Sequence, residues 1–274
     1  MTAISKRVIL FFAIVIIIQY SYSQSPMGMM PMDTKVSAVL DSADYLFTYK
    51  MNFITDSSKP QSISSNDCAL LVGNRYSKFF NAHYLKNPNR EVINGVINGM
   101  DGIGLAGTEI FKNLSEKTML VTTILSVSNG VYLYKEKTPD IEWTIENEIK
   151  NIQGYVCQKA TTTFLGRSYI AWFAREIPIS NGPWKLGGLP GLILQASDTQ
   201  NHYFFECTGI QTLTNKLPIL QYDVKYRDTN RTSLNNLIKR MHLNFDQYIE
   251  SQGIQLVEGS MKNISFPYNP IELE

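Results

Sequence analysis

Apolar runs of strand length recur along this chain, and most close on a turn bearing glycine or asparagine. Turn-separated strands with no helix between them build antiparallel sheets, so this pattern constrains the fold more than any other feature. Residues 44–55 alternate cleanly. Tyr45, Phe47, Tyr49, Met51 and Phe53 fall on one side of a strand, and Thr48, Lys50 and Asn52 on the other. Leu70-Leu71-Val72, the turn Gly73-Asn74 and residues 75–80 predict a hairpin. Residues 118–127 and 131–136 flank Ser128-Asn129-Gly130, and residues 154–164 and 167–174 flank Leu165-Gly166. Residues 192–196 and 202–207 flank a polar turn, and shorter strands are expected at 141–145, around Trp143, and at 219–226. With 15 Tyr, 13 Phe and only 18% charged residues, the composition favours sheet as well.

One helix is expected. Leu234, Leu237, Ile238, Met241, Phe245, Tyr248 and Ile249 keep three-and-four spacing, Thr232 or Ser233 supplies the start and Gly253 the end. The expected fold is mainly β: a single curved antiparallel sheet, half-barrel or sandwich-like, with a C-terminal amphipathic helix packed on it.

Residues 1–23 read as a secretory signal peptide. Lys6 and Arg7 precede an apolar run at 8–18, and Ser21-Tyr22-Ser23 offers a cleavage site before Gln24. Such a run rises only about 16 Å as a helix, about half a hydrocarbon core, so it suits a cleaved signal better than an anchor. No later stretch approaches a membrane span, and the expected location is periplasmic or secreted. Residues 24–35 form a flexible Met/Pro-rich leader. Its Met27, Met29, Met30 and Met32 are soft ligands of the kind that suit Cu(I), but no His or Cys reinforces them and no metal is assigned. Residues 36–274 read as one domain carrying a Gly-rich insertion near 94–107. Gly102, Gly104 and Gly107 have dinucleotide-loop spacing, yet no strand precedes them and residues 118–134 contain no Asp or Glu to hold a ribose. No cofactor is assigned.

Lys and Arg total 25 against 24 Asp and Glu, and removing Lys6 and Arg7 leaves the chain slightly acidic. That balance argues against nucleic acid as a partner. Three His and three Cys exclude multi-metal and disulfide-dense scaffolds on supply alone. There is no GxSxG elbow and no HExxH. His83, His202 and His242 read as surface or interface residues. His202 and Cys207 would face opposite sides of one strand. Asp56, Glu142, Glu176, Asp198 and Glu206 could serve carboxylate chemistry, but nothing pairs two of them. No catalytic residue is assigned. Non-enzymatic binding is the first reading, and an exported hydrolase with an unrecognised site is the alternative.

The most informative segment is 154–198. Gly188, Leu189, Pro190, Gly191, Leu192 and Ile193 spell GLPGLI, preceded by Tyr155, Cys157, Gly166-Arg167, Ala171-Trp172-Phe173, Glu176-Ile177-Pro178-Ile179 and Gly182-Pro183-Trp184-Lys185. This block resembles the GLPGLI family of exported bacterial proteins. The resemblance implies a secreted or periplasmic protein of Gram-negative bacteria, in some cases associated with outer-membrane transport, and brings no catalytic residues. An outer-membrane transport protein is thus a possible partner. Leu189-Pro190-Gly191-Leu192 predicts a type II turn, with Gly191 at positive φ. Arg167, Trp172, Arg175, Glu176, Trp184 and Lys185 form a candidate binding surface, an aromatic platform edged by charge. Disulfides persist in exported proteins. A Cys157–Cys207 bridge is the favoured pairing, both residues being placed in strands flanking the motif, and three free thiols are the alternative.

Overall fold

The computed structural model describes residues 35–86, 105–125, 131–253 and 263–274. The expected signal peptide, nearly all of the leader, most of the Gly-rich insertion and the turn at Ser128-Asn129-Gly130 lie outside those residues. The strands are β1 (Lys35–Ile54), β2 (Ile63–Gly73), β3 (Tyr76–Asn81), β4 (Thr108–Asn113), β5 (Thr118–Ile124), β6 (Val131–Lys137), β7 (Thr144–Ile152), β8 (Tyr155–Phe164), β9 (Arg167–Ala174), β10 (Leu192–Asp198), β11 (Tyr203–Asp223) and β12 (Tyr226–Asp228). The helices are α1 (His83–Lys86), α2 (Arg231–Leu243) and α3 (Phe245–Ser251).

Among the described residues the twelve strands form one open sheet in the order β12-β6-β5-β4-β3-β2-β1-β11-β10-β9-β8-β7. Every pairing is antiparallel except β12 with β6. The mainly β, single-sheet expectation therefore holds, with one parallel edge. Strand β4 carried no sequence signal strong enough to be anticipated. The strand expected around Trp143 starts after it, and the segments at 202–207 and 219–226 belong largely to one long strand, β11.

The alternation in β1 sets the two faces. Phe47, Tyr49, Met51 and Phe53 enter the main core, where Tyr169, Phe173, Tyr203 and Phe205 meet them. The turns follow from backbone sign. Gln153-Gly154 and Leu165-Gly166 all have positive φ, the requirement of a two-residue type I′ hairpin. Strands β1 and β11 are 20 and 21 residues long, and repeated register shifts along β1 bend them. Their far halves reach the outward face of β2–β4, where Ala43 and Ile219 pack with Leu46, Leu71, Phe80 and Phe111 in a second, smaller core. Lys78 pins that arm. Its ammonium pairs with Glu109 at 3.0 Å, donates to the Leu220 carbonyl, and lies over the rings of Phe80, Phe111 and Tyr222.

The expected C-terminal helix is two helices that break at Asn244. Asn230, not Thr232 or Ser233, caps the first: its Oδ1 accepts from the Ser233 N–H at 2.9 Å. Gly253, at φ +83°, follows the second as expected. Leu234, Met241, Phe245, Tyr248 and Ile249 pack into the main core. The closing residues return along the helices: the Phe266 N–H donates to the His242 carbonyl, and the Leu273 N–H to that of Leu165.

Candidate functional site

The motif sits in the connection between β9 and β10, and that connection is buried. Asn181, Trp184, Lys185, Leu186 and Leu189 are all nearly sealed from solvent. A buried loop must satisfy its own backbone; some of its bonds close within the loop, such as the Leu186 N–H to the Pro183 carbonyl, and others come from distant strands or loops. Lys112 of β4 donates to Asn181 Oδ1 at 2.9 Å and to the Leu186 carbonyl at 2.7 Å. Asn181 Nδ2 donates to Ser77 Oγ, Trp143 Nε1 to the Gly187 carbonyl and Tyr49 Oη to the Ile193 carbonyl.

The turn within the motif differs from expectation. The Gly191 N–H donates to the Leu189 carbonyl, which closes a three-residue turn around Pro190 instead of a four-residue type II turn. The positive φ values fall on Trp184 and Gly188, at +53° and +87°, and not on Gly191. Gly191 is required for another reason: a Cβ there would lie 2.2 Å from the Ala174 carbonyl oxygen.

Two buried lysines serve this loop in opposite ways. Lys185 pairs with Glu136 at 2.9 Å and Glu272 at 2.8 Å, and donates to Tyr134 Oη. Burial works against its charge, but Glu272, Tyr134 and Glu136 outweigh it and hold the pKa above the ordinary lysine value. Among the described residues Lys112 has only the neutral acceptors of Asn181 and Leu186, and burial pushes its pKa down to about 7.

The candidate surface therefore divides. Trp184 lies in the core beside Phe164 and Tyr169, with ring centroids at 5.7 and 6.2 Å. Arg167 is buried, paired with Asp198 at 2.8 Å, and donates to Asn269 Oδ1 and to the carbonyls of Pro270 and Ile271, so it clamps the C-terminal segment. Lys185 is buried too. Arg175 and Glu176 are exposed where the loop leaves β9, and Trp172 is half-buried in β9. These six residues form no common surface.

The structure instead brings Trp172 together with residues the sequence did not single out. Strand register aligns Lys159, Trp172, Gln195, Glu206, Lys50 and Asp67 in one row across six strands. A second row holds Thr161, Ile170, Ser197, Phe204, Asn52 and Ser65. All twelve are half-buried or exposed. Lys150 lies over the Trp172 ring, 4.1 Å from its centroid, and donates to Gln195 Oε1. Burial lowers its pKa. The signal that could have found this face is the two-residue period of β9, which sets Ile170 and Trp172 opposite the buried Tyr169, Ala171 and Phe173.

Cys68, Cys157 and Cys207 are free, buried thiols. The expected Cys157–Cys207 bridge is absent because β9 and β10 separate their strands, whereas bridging needs Cα atoms within about 7 Å. Burial pushes the three thiols up to about 12, 11 and 11, so they stay protonated at neutral pH. His242, expected at the surface, is buried, and its Nδ1 bonds the Pro267 carbonyl. Of the five acids considered, Asp198 is committed to Arg167, while Glu142, Glu176 and Glu206 are half-buried or exposed and Asp56 bonds Ser58.

The fold is similar to that of PNGF-II, solved in two space groups. In P21 the match covers 73% of this chain and 33% of that one at 17% identity, with a TM-score of 0.50. In C2 it covers 72% and 32% at the same identity, with a TM-score of 0.48. At such identity the likeness is one of fold alone, and this chain spans about a third of that protein. No curated protein matches the sequence. Residues 165–195, which run from the β8–β9 turn through the buried loop into β10, match the model of a family described as a protein of unknown function (Porph_ging).

Proposed function

We propose that this chain is an exported protein of the cell envelope that works by binding, as an accessory to an outer-membrane or periplasmic partner, through the outward sheet face around Trp172. Export rests on the tripartite N-terminal segment, and membership of the GLPGLI family on the motif block; both belong to the same reading. The observation that carries the binding role is the pair of half-exposed rows across six strands, with Trp172, Ile170 and Phe204 among amides, hydroxyls and charges of both signs. A broad, half-exposed sheet face with aromatic anchors and a polar surround has the make-up of a protein-binding surface.

The test is affinity capture from an envelope extract, comparing wild type with Trp172→Ala at matched unfolding midpoint. The variant is expected to lose partners that wild type retains. An unchanged captured set overturns the assignment of this face. Hydrolysis of a peptide, ester or glycan by the purified chain, abolished by a single acid or cysteine substitution, overturns the binding role itself.

A further inference from the structure

Residues 263–274 form no helix or strand, yet Asn269 and Ile271 are buried. Side chains from distant parts of the fold hold them. Asn269 is bonded at three points. Its Nδ2 donates to the Ile54 carbonyl at 2.7 Å, its Oδ1 accepts from Arg167 Nη2 at 2.8 Å, and its carbonyl accepts from Tyr203 Oη at 2.6 Å. Arg167 Nε donates to the Pro270 and Ile271 carbonyls. The Ile271 side chain enters the main core, and the Glu272 carboxylate meets Lys185 at 2.8 Å. The seat thus reads an asparagine, an aliphatic residue and an acid along one extended stretch.

Two features mark this seat as a receptor for such a stretch. First, its cations are balanced without the occupant. Arg167 pairs with Asp198 at 2.8 Å and Lys185 with Glu136 at 2.9 Å, so neither is left without a carboxylate when residues 266–273 leave. Second, the occupant leaves a donor unused. Tyr169 Oη is sealed from solvent, has no hydrogen-bond partner among the described residues, and has Arg167, Asp198 and Glu272 as charged neighbours. A buried hydroxyl without a partner is costly. A peptide that presents an acceptor there gains a bond that residues 263–274 do not make.

We propose that this seat is a peptide-binding site which residues 266–273 fill in cis, and that its ligand is an extended peptide with asparagine three residues before an acid and an aliphatic residue between them. The cis segment and the ligand compete, so the affinity for an incoming peptide is lowered by the fraction of chains whose seat is filled. Weakening the cis segment therefore strengthens binding in trans.

The probe is a fluorescein-labelled synthetic peptide with the sequence of residues 263–274, capped at both ends, titrated with the full chain and followed by anisotropy. The Asn269→Ala chain, whose own segment is weakened while the seat is intact, is expected to bind it at least tenfold more tightly than wild type. The Glu272→Gln chain, a milder change that serves if Asn269→Ala does not fold, is also expected to bind more tightly than wild type. A peptide carrying Asn269→Ala, which cannot disturb the folding of the protein, is expected to bind at least tenfold more weakly. In 15N-labelled wild type, unlabelled peptide at millimolar concentration is expected to speed hydrogen exchange at the Phe266 and Leu273 amides, which the His242 and Leu165 carbonyls hold in cis. No binding to any of the three chains, equal affinity for all three, indifference to Asn269→Ala in the peptide, or unchanged exchange overturns the proposal. None of these readouts depends on the Trp172 face.

Discussion

Trp184 and Trp172 lie in the same matched segment, and a reading of composition alone treats them alike. In the fold they separate. Trp184 enters the core through a buried loop and packs on Phe164 and Tyr169, on the side of β9 that carries Tyr169, Ala171 and Phe173. Trp172 lies on the other side of that strand, half-buried, under Lys150 and in line with Gln195 and Glu206. The motif that makes the segment recognisable thus builds the inward side, where Asn181, Lys185 and Gly191 are fixed by contacts with distant parts of the chain. The outward side is left half-buried or exposed.

The sharpest way to break this comparison is to truncate both rings. Trp184→Ala removes a fully buried aromatic and is expected to cost about 3–5 kcal/mol, enough to lower folded yield. Trp172→Ala is expected to cost about 1 kcal/mol, the loss of a half-buried contact and one cation–π pair. Urea unfolding of the two variants side by side gives the answer, and equal losses would remove the distinction between the faces. Gly191→Ala comes next. Its added methyl meets the Ala174 carbonyl at 2.2 Å, so strand β9 or the loop must shift, at about 1–3 kcal/mol. A variant as stable as wild type would show that the close approach does not constrain the loop.

A subtler contrast separates the two loop lysines. Lys112 has a folded pKa of about 7, below the unfolded value of about 10.4. Between those values the unfolded chain binds more protons, so this group makes stability rise with pH across that window. Lys185 is displaced the other way, and its contribution persists until the pH exceeds the ordinary lysine value. The three buried thiols, displaced upward, oppose Lys112 above the ordinary thiol pKa. The useful readout is therefore a difference between proteins. The stability of Lys112→Met relative to wild type is expected to be most favourable at pH 7 and below and to decline toward pH 10. A difference independent of pH would mean that Lys112 is not the titrating group.

How far the sequence could be read follows from the range of the contacts involved. The two faces of β1, the Leu165-Gly166 hairpin and the amphipathic spacing of α2 and α3 rest on neighbours a few residues apart, and all were legible. The buried loop was not, because Ser77, Lys112, Trp143 and Tyr49 approach it from remote positions and only their convergence turns Trp184 and Lys185 inward. Arg167 was misplaced for the same reason: its partners Asn269, Pro270 and Ile271 are about a hundred residues away. The cysteine pairing failed on strand order, which alternation does not encode. The rows around Trp172 were half legible, since alternation gives each strand's outward residues but not which of them align.

The most direct test of the outward face is to obstruct it. Ser197 lies in the second row between Ile170 and Phe204. With the native thiols buried, Ser197→Cys can be labelled selectively with a maleimide-linked polymer, and Ser115→Cys, on the exposed turn between β4 and β5, labelled in the same way as a control. Binding to the captured envelope partner is then measured for both conjugates. Loss at position 197 with retention at position 115 is the predicted result, and full binding by the conjugate at position 197 would contradict the account.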